Sequence, residues 1–459
     1  MIRTIVRREF VEHITSFRFL ALLVLSLTLM TLSVSVFSAK YAGAIRESPS
    51  LREGQPQGLI DDQGKTSLKM APCNAYGLHR VLSRLAFCAG TAERELPDLI
   101  MVSPHLLNSL SRVTKAGEVL DPSVPLDWGF LVTVIFSFAA GLLTYKSVAG
   151  ELTDGTLALT LSNPVPKWAI LLGKYLGAML SLAIVLSVSM LFGLVTLRVL
   201  GEVALTGDDW LKLGSFWLVS LAYLSVFVLI GLLCSIVART PLLAAAAFLL
   251  NWSVLVFVIP NLGGIAAGLS GNVKAPRELS AMNQAFKSRY PMRNDLSLVE
   301  RASIEMQRCR AYDQLLLEHL GSLMRQVEFG QNITRVSPAS VFLYASEEIT
   351  GGGLPRLTAF VQNARQYRER LLDAMIEADK ADPASQHVYY PWQCGSNIFS
   401  QRVVDLGPAK EFRDAPPRSG QALAGATWDL GLLFLFNLLG FAIAAWRFDR
   451  QDVAPAWGA

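Results

Sequence analysis

The sequence is short of charge. Of its 459 residues, 17% are Asp, Glu, Lys or Arg and 52% are hydrophobic, where a soluble domain carries about 25% charge. The apolar residues also fall in blocks, and together these facts exclude an ordinary soluble fold. Histidine is scarce. His13, His79, His105, His319 and His387 stand apart, and none has a Cys, Asp or Glu partner at metal-ligand spacing on one helix. No G-x-S-x-G elbow occurs. Metal binding and hydrolysis therefore have no support. A phosphate loop is missing too. "GLIDDQGKT" (58–66) comes nearest, but five residues separate Gly58 from Gly64, one more than the motif allows. The chain is not expected to be an enzyme or to hold a cofactor or metal of its own.

What is present is a set of six apolar runs: Phe19–Ala39, Trp128–Tyr145, Tyr175–Leu197, Leu213–Val237, Pro241–Gly271 and Leu430–Trp446. A bilayer core takes about 20 apolar residues in a helix, and lipid forces the backbone to satisfy its own hydrogen bonds. The fold class is therefore an all-α membrane protein with six transmembrane helices. The first run is too long for a signal peptide and follows Glu9 and Glu12, so it reads as an uncleaved span. Arg3, Arg7, Arg8 and Arg18, then Lys146, Lys167 and Lys174, then Arg239, then Arg447 and Arg450, all fall on one side if the spans alternate. That side is expected to be cytoplasmic, with both termini on it. Glu202, Asp208 and Asp209 suit the opposite side. The formal net charge of +4 thus reports topology, and no nucleic-acid surface is expected.

The chain divides accordingly. Residues 1–17 form an amphipathic surface helix, with Ile2, Val6, Phe10 and Ile14 at helical spacing and Arg3, Arg7 and Arg8 to one side. Such a helix rests on the bilayer with its cations towards headgroups or a partner. Span one is 18–39, and 40–127 is a first extracytoplasmic segment with an irregular start. Residues 128–271 carry spans two to five. Residues 272–427 form a mostly helical extracytoplasmic domain, with helical patterns over 276–289, 297–329 and 354–380. Span six is 428–447, and 448–459 is a cytoplasmic tail. "SPASVFLYASEEIT" (337–350) is very apolar for an exposed link. It either dips into the outer leaflet or caps a transport path, or else is a buried helix of the outer domain. Cys73 and Cys88 lie in the first outer segment and Cys309 and Cys394 in the second. Four cysteines allow three pairings; one bridge within each segment is the expectation. Asn251 and Asn437 are the notable amides inside spans, suited to bonds between helices. Gly173 and Gly177, and Gly264 and Gly268, have the spacing that lets helices approach closely, as at a dimer seam.

Between spans two and three lies "GELTDGTLALTLSNPVPKWAILLGK" (150–174). Gly155 permits a tight turn. Leu157, Leu159 and Leu161 offer the bilayer an apolar edge, while Glu151 and Asp154 stay in water. Pro164 and Pro166 stop a continuous helix, and Lys167, Trp168 and Lys174 are interface anchors. The result is a short stiff element over 147–167, joined to two spans. The stretch resembles the signature of type 2 ABC exporter permeases. That pattern runs glutamate, three residues, Gly-Thr-Leu, a leucine-rich stretch, Ser-x-Pro-Val, a basic residue and a closing Gly-Lys. Here Glu151, Gly155, Thr156, Leu157, Ser162, Pro164, Val165, Lys167, Gly173 and Lys174 carry it. Lys167 stands where arginine is frequent. The long segments after spans one and five resemble a bacterial subgroup labelled as related to multi-copper enzyme maturation, although no Cys, His or Met cluster here supports copper.

The resemblance implies a permease in the bacterial inner membrane that works with two separate ABC ATPase subunits, which hold ATP and Mg, and with a second permease chain, identical or paralogous. Glu151, Asp154, Gly155, Thr156, Pro164 and Lys167 would act as the coupling helix in an ATPase groove, and Arg3, Arg7 and Arg8 would add contacts. A transmission protein that passes ATPase strokes to an envelope partner, without moving a substrate, is the alternative.

Overall fold

The structure is a computed structural model of the chain. It describes residues 2–47, 56, 59, 65–81, 83–90, 96–111, 126–157, 166–201, 203–269, 288, 295–395, 397–414 and 416–450. Six helices are long and apolar enough to cross a membrane: Phe17–Gly43, Trp128–Thr153, Lys167–Leu200, Gly207–Val237, Pro241–Leu269 and Thr427–Asp449. These are spans one to six. The expected all-α membrane fold is what the chain adopts. Of their apolar windows, 67% and 78% are buried in spans two and four but only 17% in spans five and six. Spans two and four are thus the centre of the bundle, and the others surround them with apolar faces free for lipid.

Local signals explain the span ends. Pro166 precedes span three in an extended conformation, and Gly201 ends that span at φ 72°, where glycine carries no Cβ penalty. Thr206 and Asp209 cap span four reciprocally. Thr240 caps span five, with Pro241 in its first turn. Spans two and five each contain a π-helical stretch, at Leu131–Phe136 and Val254–Val258. Both stretches offer a carbonyl to a neighbour. Tyr223 Oη donates to Thr133 O at 2.9 Å, and Ser337 Oγ donates to Leu255 O. Irregular backbone inside a bundle persists where such partners exist.

Besides the spans we number helices α1 (Ile2–Ile14), α2 (Ala149–Thr153, the separate last piece of the second apolar helix), α3 (Leu298–Thr334), α4 (Pro338–Ile349), α5 (Gly353–Lys380) and α6 (Ser419–Gly425). The strands are β1 (Thr66–Ser67), β2 (Tyr76–His79), β3 (Leu99–Ser103), β4 (Leu106–Ser111) and β5 (Val403–Val404). The segments after spans one and five fold together as one loop domain. The first contributes an antiparallel sheet, β2-β3-β4, and its β1 pairs with β5 of the second. The expected irregular start thus gives way to a small sheet. Leu78, Ile100, Val102 and Leu107 from the sheet pack with Phe360, Tyr367, Leu371 and Met375 of α5 in a single core.

Two further ties join the segments. Asp414 binds Arg356 in a buried ion pair and accepts from Val81 N at 3.0 Å. The disulfide joins Cys73 to Cys394, and Cys88 and Cys309 are buried free thiols. The expected bridges within each segment are therefore wrong. Closeness in sequence misled, because the two segments interleave. Of the helical patterns, 297–329 and 354–380 become α3 and α5, while 276–289 lies outside the described residues apart from Ser288.

The apolar link enters the bundle. The last turns of α3 lie on span five, with Gly330 and Thr334 against Gly263 and Gln326 Nε2 donating to Ala267 O at 2.5 Å. The chain turns at Arg335 and Val336, and α4 starts at Leu255 O, the midpoint of span five. Phe342 then stacks on Tyr223 in span four, with ring centroids 4.6 Å apart. Arg335 clamps Asp429 at the start of span six, with Nε to Oδ1 at 2.6 Å and Nη2 to Oδ2 at 3.2 Å. Helix α4 is thus buried, in the core it shares with the spans and not in that of the loop domain.

Candidate functional site

The residues singled out from the motif gather at the end of the bundle opposite the loop domain. After span two turns at 145–148, α2 begins. Its first N–H groups have no partner within so short a helix. Ser235, buried in span four, supplies one: its Oγ accepts from Val148 N at 2.9 Å and Ala149 N at 3.0 Å. Gly155 follows α2 at φ 72°, with none of the described residues within 4 Å of a Cβ there, a conformation that suits glycine. Asp154 and Thr156 are exposed, with Thr156 Oγ1 3.4 Å from Glu151 O. Leu157 is buried in the bundle core and so does not face lipid. Pro164, Leu159 and Leu161 lie outside the described residues.

Glu151 does not stay in water. Its Oε1 accepts from Lys174 Nζ at 2.9 Å, and the same ammonium donates to Glu9 Oε1 of α1 at 2.8 Å. Nor is Lys174 an interface anchor: its side chain is 3% exposed. The reason is geometric. Lys174 is one position beyond Gly173, on the face of span three that α1 covers. Ile5 sits on Gly173 and Glu9 on Gly177, where a Cβ would meet their side chains at 2.6 and 2.7 Å. The Gly173/Gly177 pair is therefore the seat of α1 and is unavailable as a dimer seam. Instead of resting flat on a bilayer, α1 runs along span three in the same direction. Its Arg3, Arg7 and Arg8 are exposed and form no ion pair among the described residues.

Burying an ammonium costs several kcal/mol unless it is paired. Here two carboxylates surround one cation, more than neutrality requires. Glu151 Oε2 is buried without a hydrogen-bond partner among the described residues, and so is His13 Nε2 on α1. Burial lowers the pKa of His13, against the opposing pull of Glu9 and Glu12, so the ring is neutral at neutral pH and adds no compensating charge.

Other expectations resolve nearby. Lys167 Nζ donates to Asp449 O at 2.7 Å, closing the last turn of span six. Trp168 is exposed, as an interface residue would be. Asn437 bonds between helices, donating to Ala222 O at 2.9 Å and accepting from Ser225. Asn251 instead bonds its own helix at Ala247 O and faces outward. Among the described residues, nothing lies within 4 Å of a Cβ at Gly264 or Gly268. Sequence reasoning missed Glu9, Ser235 and the burial of Lys174. A lone lysine inside "AILLGKYLGAM" was the available signal for the last, and a lone acid beside Arg7 and Arg8 for the first.

The profile of the ABC-2 family transporter protein matches residues 3–453. The chain belongs to the ABC-2 transporter family. It is thus a multi-pass permease component of an ABC transporter, and permeases of this family work with ABC ATPase partners. A search of curated proteins finds no match.

Proposed function

We propose that the chain is the transmembrane subunit of an ATP-driven exporter in the bacterial inner membrane, with both termini cytoplasmic. Its branch would be the one with long extracytoplasmic loops after spans one and five. A separate ATPase dimer, holding ATP and Mg, engages the turn at Asp154, Gly155 and Thr156 and the cations Arg3, Arg7 and Arg8. A second permease chain, identical or paralogous, packs on the outward face that carries Gly264 and Gly268. The observation that carries this reading is the fastening of α2. It is tied to span four by Ser235, and to span three and α1 by the shared Lys174. A displacement of so short an element is passed to span four through Ser235 and acts on the Lys174 tie to span three and α1. Transport follows only if the ATPase binds the two resulting states with different free energy.

The alternative, transmission without translocation, draws support from the opposite end. There α4 runs from mid-bundle to the loop domain, and Lys212 Nζ of span four donates to Pro417 O at 2.7 Å. Span movements could therefore reach an envelope partner through that domain. Co-purification from native membranes tests the reading. An ATP-binding subunit should travel with the chain and be lost in Asp154→Arg and Thr156→Arg, which leave Glu151 untouched. ATPase activity stimulated by a transported molecule favours export. Stimulation by an envelope protein without flux favours transmission, and a chain that binds no ATPase overturns both.

A further inference from the structure

The excess carboxylate at Lys174 has a use if α2 moves. One acid is enough to neutralise a buried ammonium. Pulling a sole counter-ion away would strand the cation in a site where it is 3% exposed, a heavily penalised state. The two acids here are not equivalent. Glu9 sits on a 13-residue helix seated on Gly173 and Gly177. Glu151 sits on a five-residue helix that ends in the exposed turn at Gly155. Its second oxygen is buried without a hydrogen-bond partner among the described residues, so it is held on one side only.

We propose that Glu9 is the standing counter-ion of Lys174 and Glu151 the releasable one, so that α2 can part from span three without leaving a bare buried ammonium. Glu9 is then a positioning residue for coupling, acting through Lys174. The inference rests on the reading of α2 as the coupling element, but its first test does not need the ATPase.

The test is hydrogen exchange of residues 149–153 in the full chain in lipid nanodiscs, normalised to the amides of span four, which report global loosening. In Glu151→Gln the tie is broken while Lys174 keeps Glu9, and normalised exchange at 149–153 should rise by about tenfold. In Glu9→Gln, Lys174 depends on Glu151 alone, and exchange there should fall below that of the unaltered chain. Glu9→Asp should return it towards the unaltered value. Opposite signs for the two Gln variants support the proposal. Acceleration by both, or no change in Glu9→Gln, makes the cluster a symmetric brace and overturns it. With ATPase added, Glu9→Gln should assemble normally yet lose about tenfold in ATP-driven flux. If no ATPase binds at all, the proposed function fails while the exchange asymmetry still stands or falls separately.

Discussion

In the loop domain, Arg356 meets a single buried carboxylate, Asp414. That carboxylate also accepts from a backbone N–H of a distant segment, Val81 N at 3.0 Å. At the other end of the molecule, Lys174 meets two carboxylates, and one oxygen is left over. Matched charge with spare lone pairs satisfied makes a fastener, since removing either partner leaves an isolated buried ion. Mismatched charge makes a joint, since either acid can leave while the other remains. On the proposal made above, the contrast puts rigidity in the loop domain and movement at α2.

The largest expected effect comes from breaking a fastener. Asp414→Ala should destabilise the loop domain by about 3–5 kcal/mol, read as its unfolding midpoint by pulse proteolysis. Glu151→Gln should cost only about 1.4 kcal/mol, the equivalent of its tenfold exchange rise, because Glu9 remains. Equal losses would erase the contrast.

Next is the disulfide. Cys73→Ser should cost about 2–5 kcal/mol in the same assay. In denatured, unreduced protein, Cys88, Cys234 and Cys309 should alkylate, and Cys73 and Cys394 only after reduction. In the folded chain Cys309 should resist, since burial pushes its thiol up to about 12.

Acid gives a third test. His105 is buried, shares a hydrogen bond with Tyr389 Oη at 2.9 Å, and has its pKa lowered to about 3, chiefly by burial. The folded ring refuses a proton that the unfolded ring takes up below about pH 6.5. Loop-domain stability should therefore fall as pH drops through that value, by up to about 1.4 kcal/mol per pH unit from this group. His105→Gln should flatten the slope between pH 6 and 4.

The smallest effect belongs to Ser235→Ala. It removes the acceptor of two N–H groups and should cost about 1–2 kcal/mol. The loss should be local, as faster exchange at 148–150 with the loop domain unchanged.

The sequence shows how such a contrast is half legible. Six apolar runs are long enough to stand out whatever they pack against, although the helices outrun them, span three starting at Lys167 and not at the expected Tyr175. Pro166, Gly201, Thr206 and Pro241 set the helix ends by local rules. What could not be read is tertiary. Cys73 lies 321 residues from Cys394, and nothing near either one announces the other. Glu151 and Lys174 look like solvated charges on a connector until α1 covers them, and α1 is placed by two glycines that equally suit a dimer seam. The short strands β2 to β4 carry turn residues nearby and too few positions for a clear period of two.

The most direct measurement uses pairs of spin labels in the assembled complex. One pair, Thr153→Cys with Arg447→Cys, spans α2 and span six; the other, Gln366→Cys with Val403→Cys, lies within the loop domain. All four positions are exposed. On adding a non-hydrolysable ATP analogue, the first distance should shift and the second should hold. A fixed first distance with a changing second would contradict the account, placing the moving part in the loop domain and the fastener at Lys174.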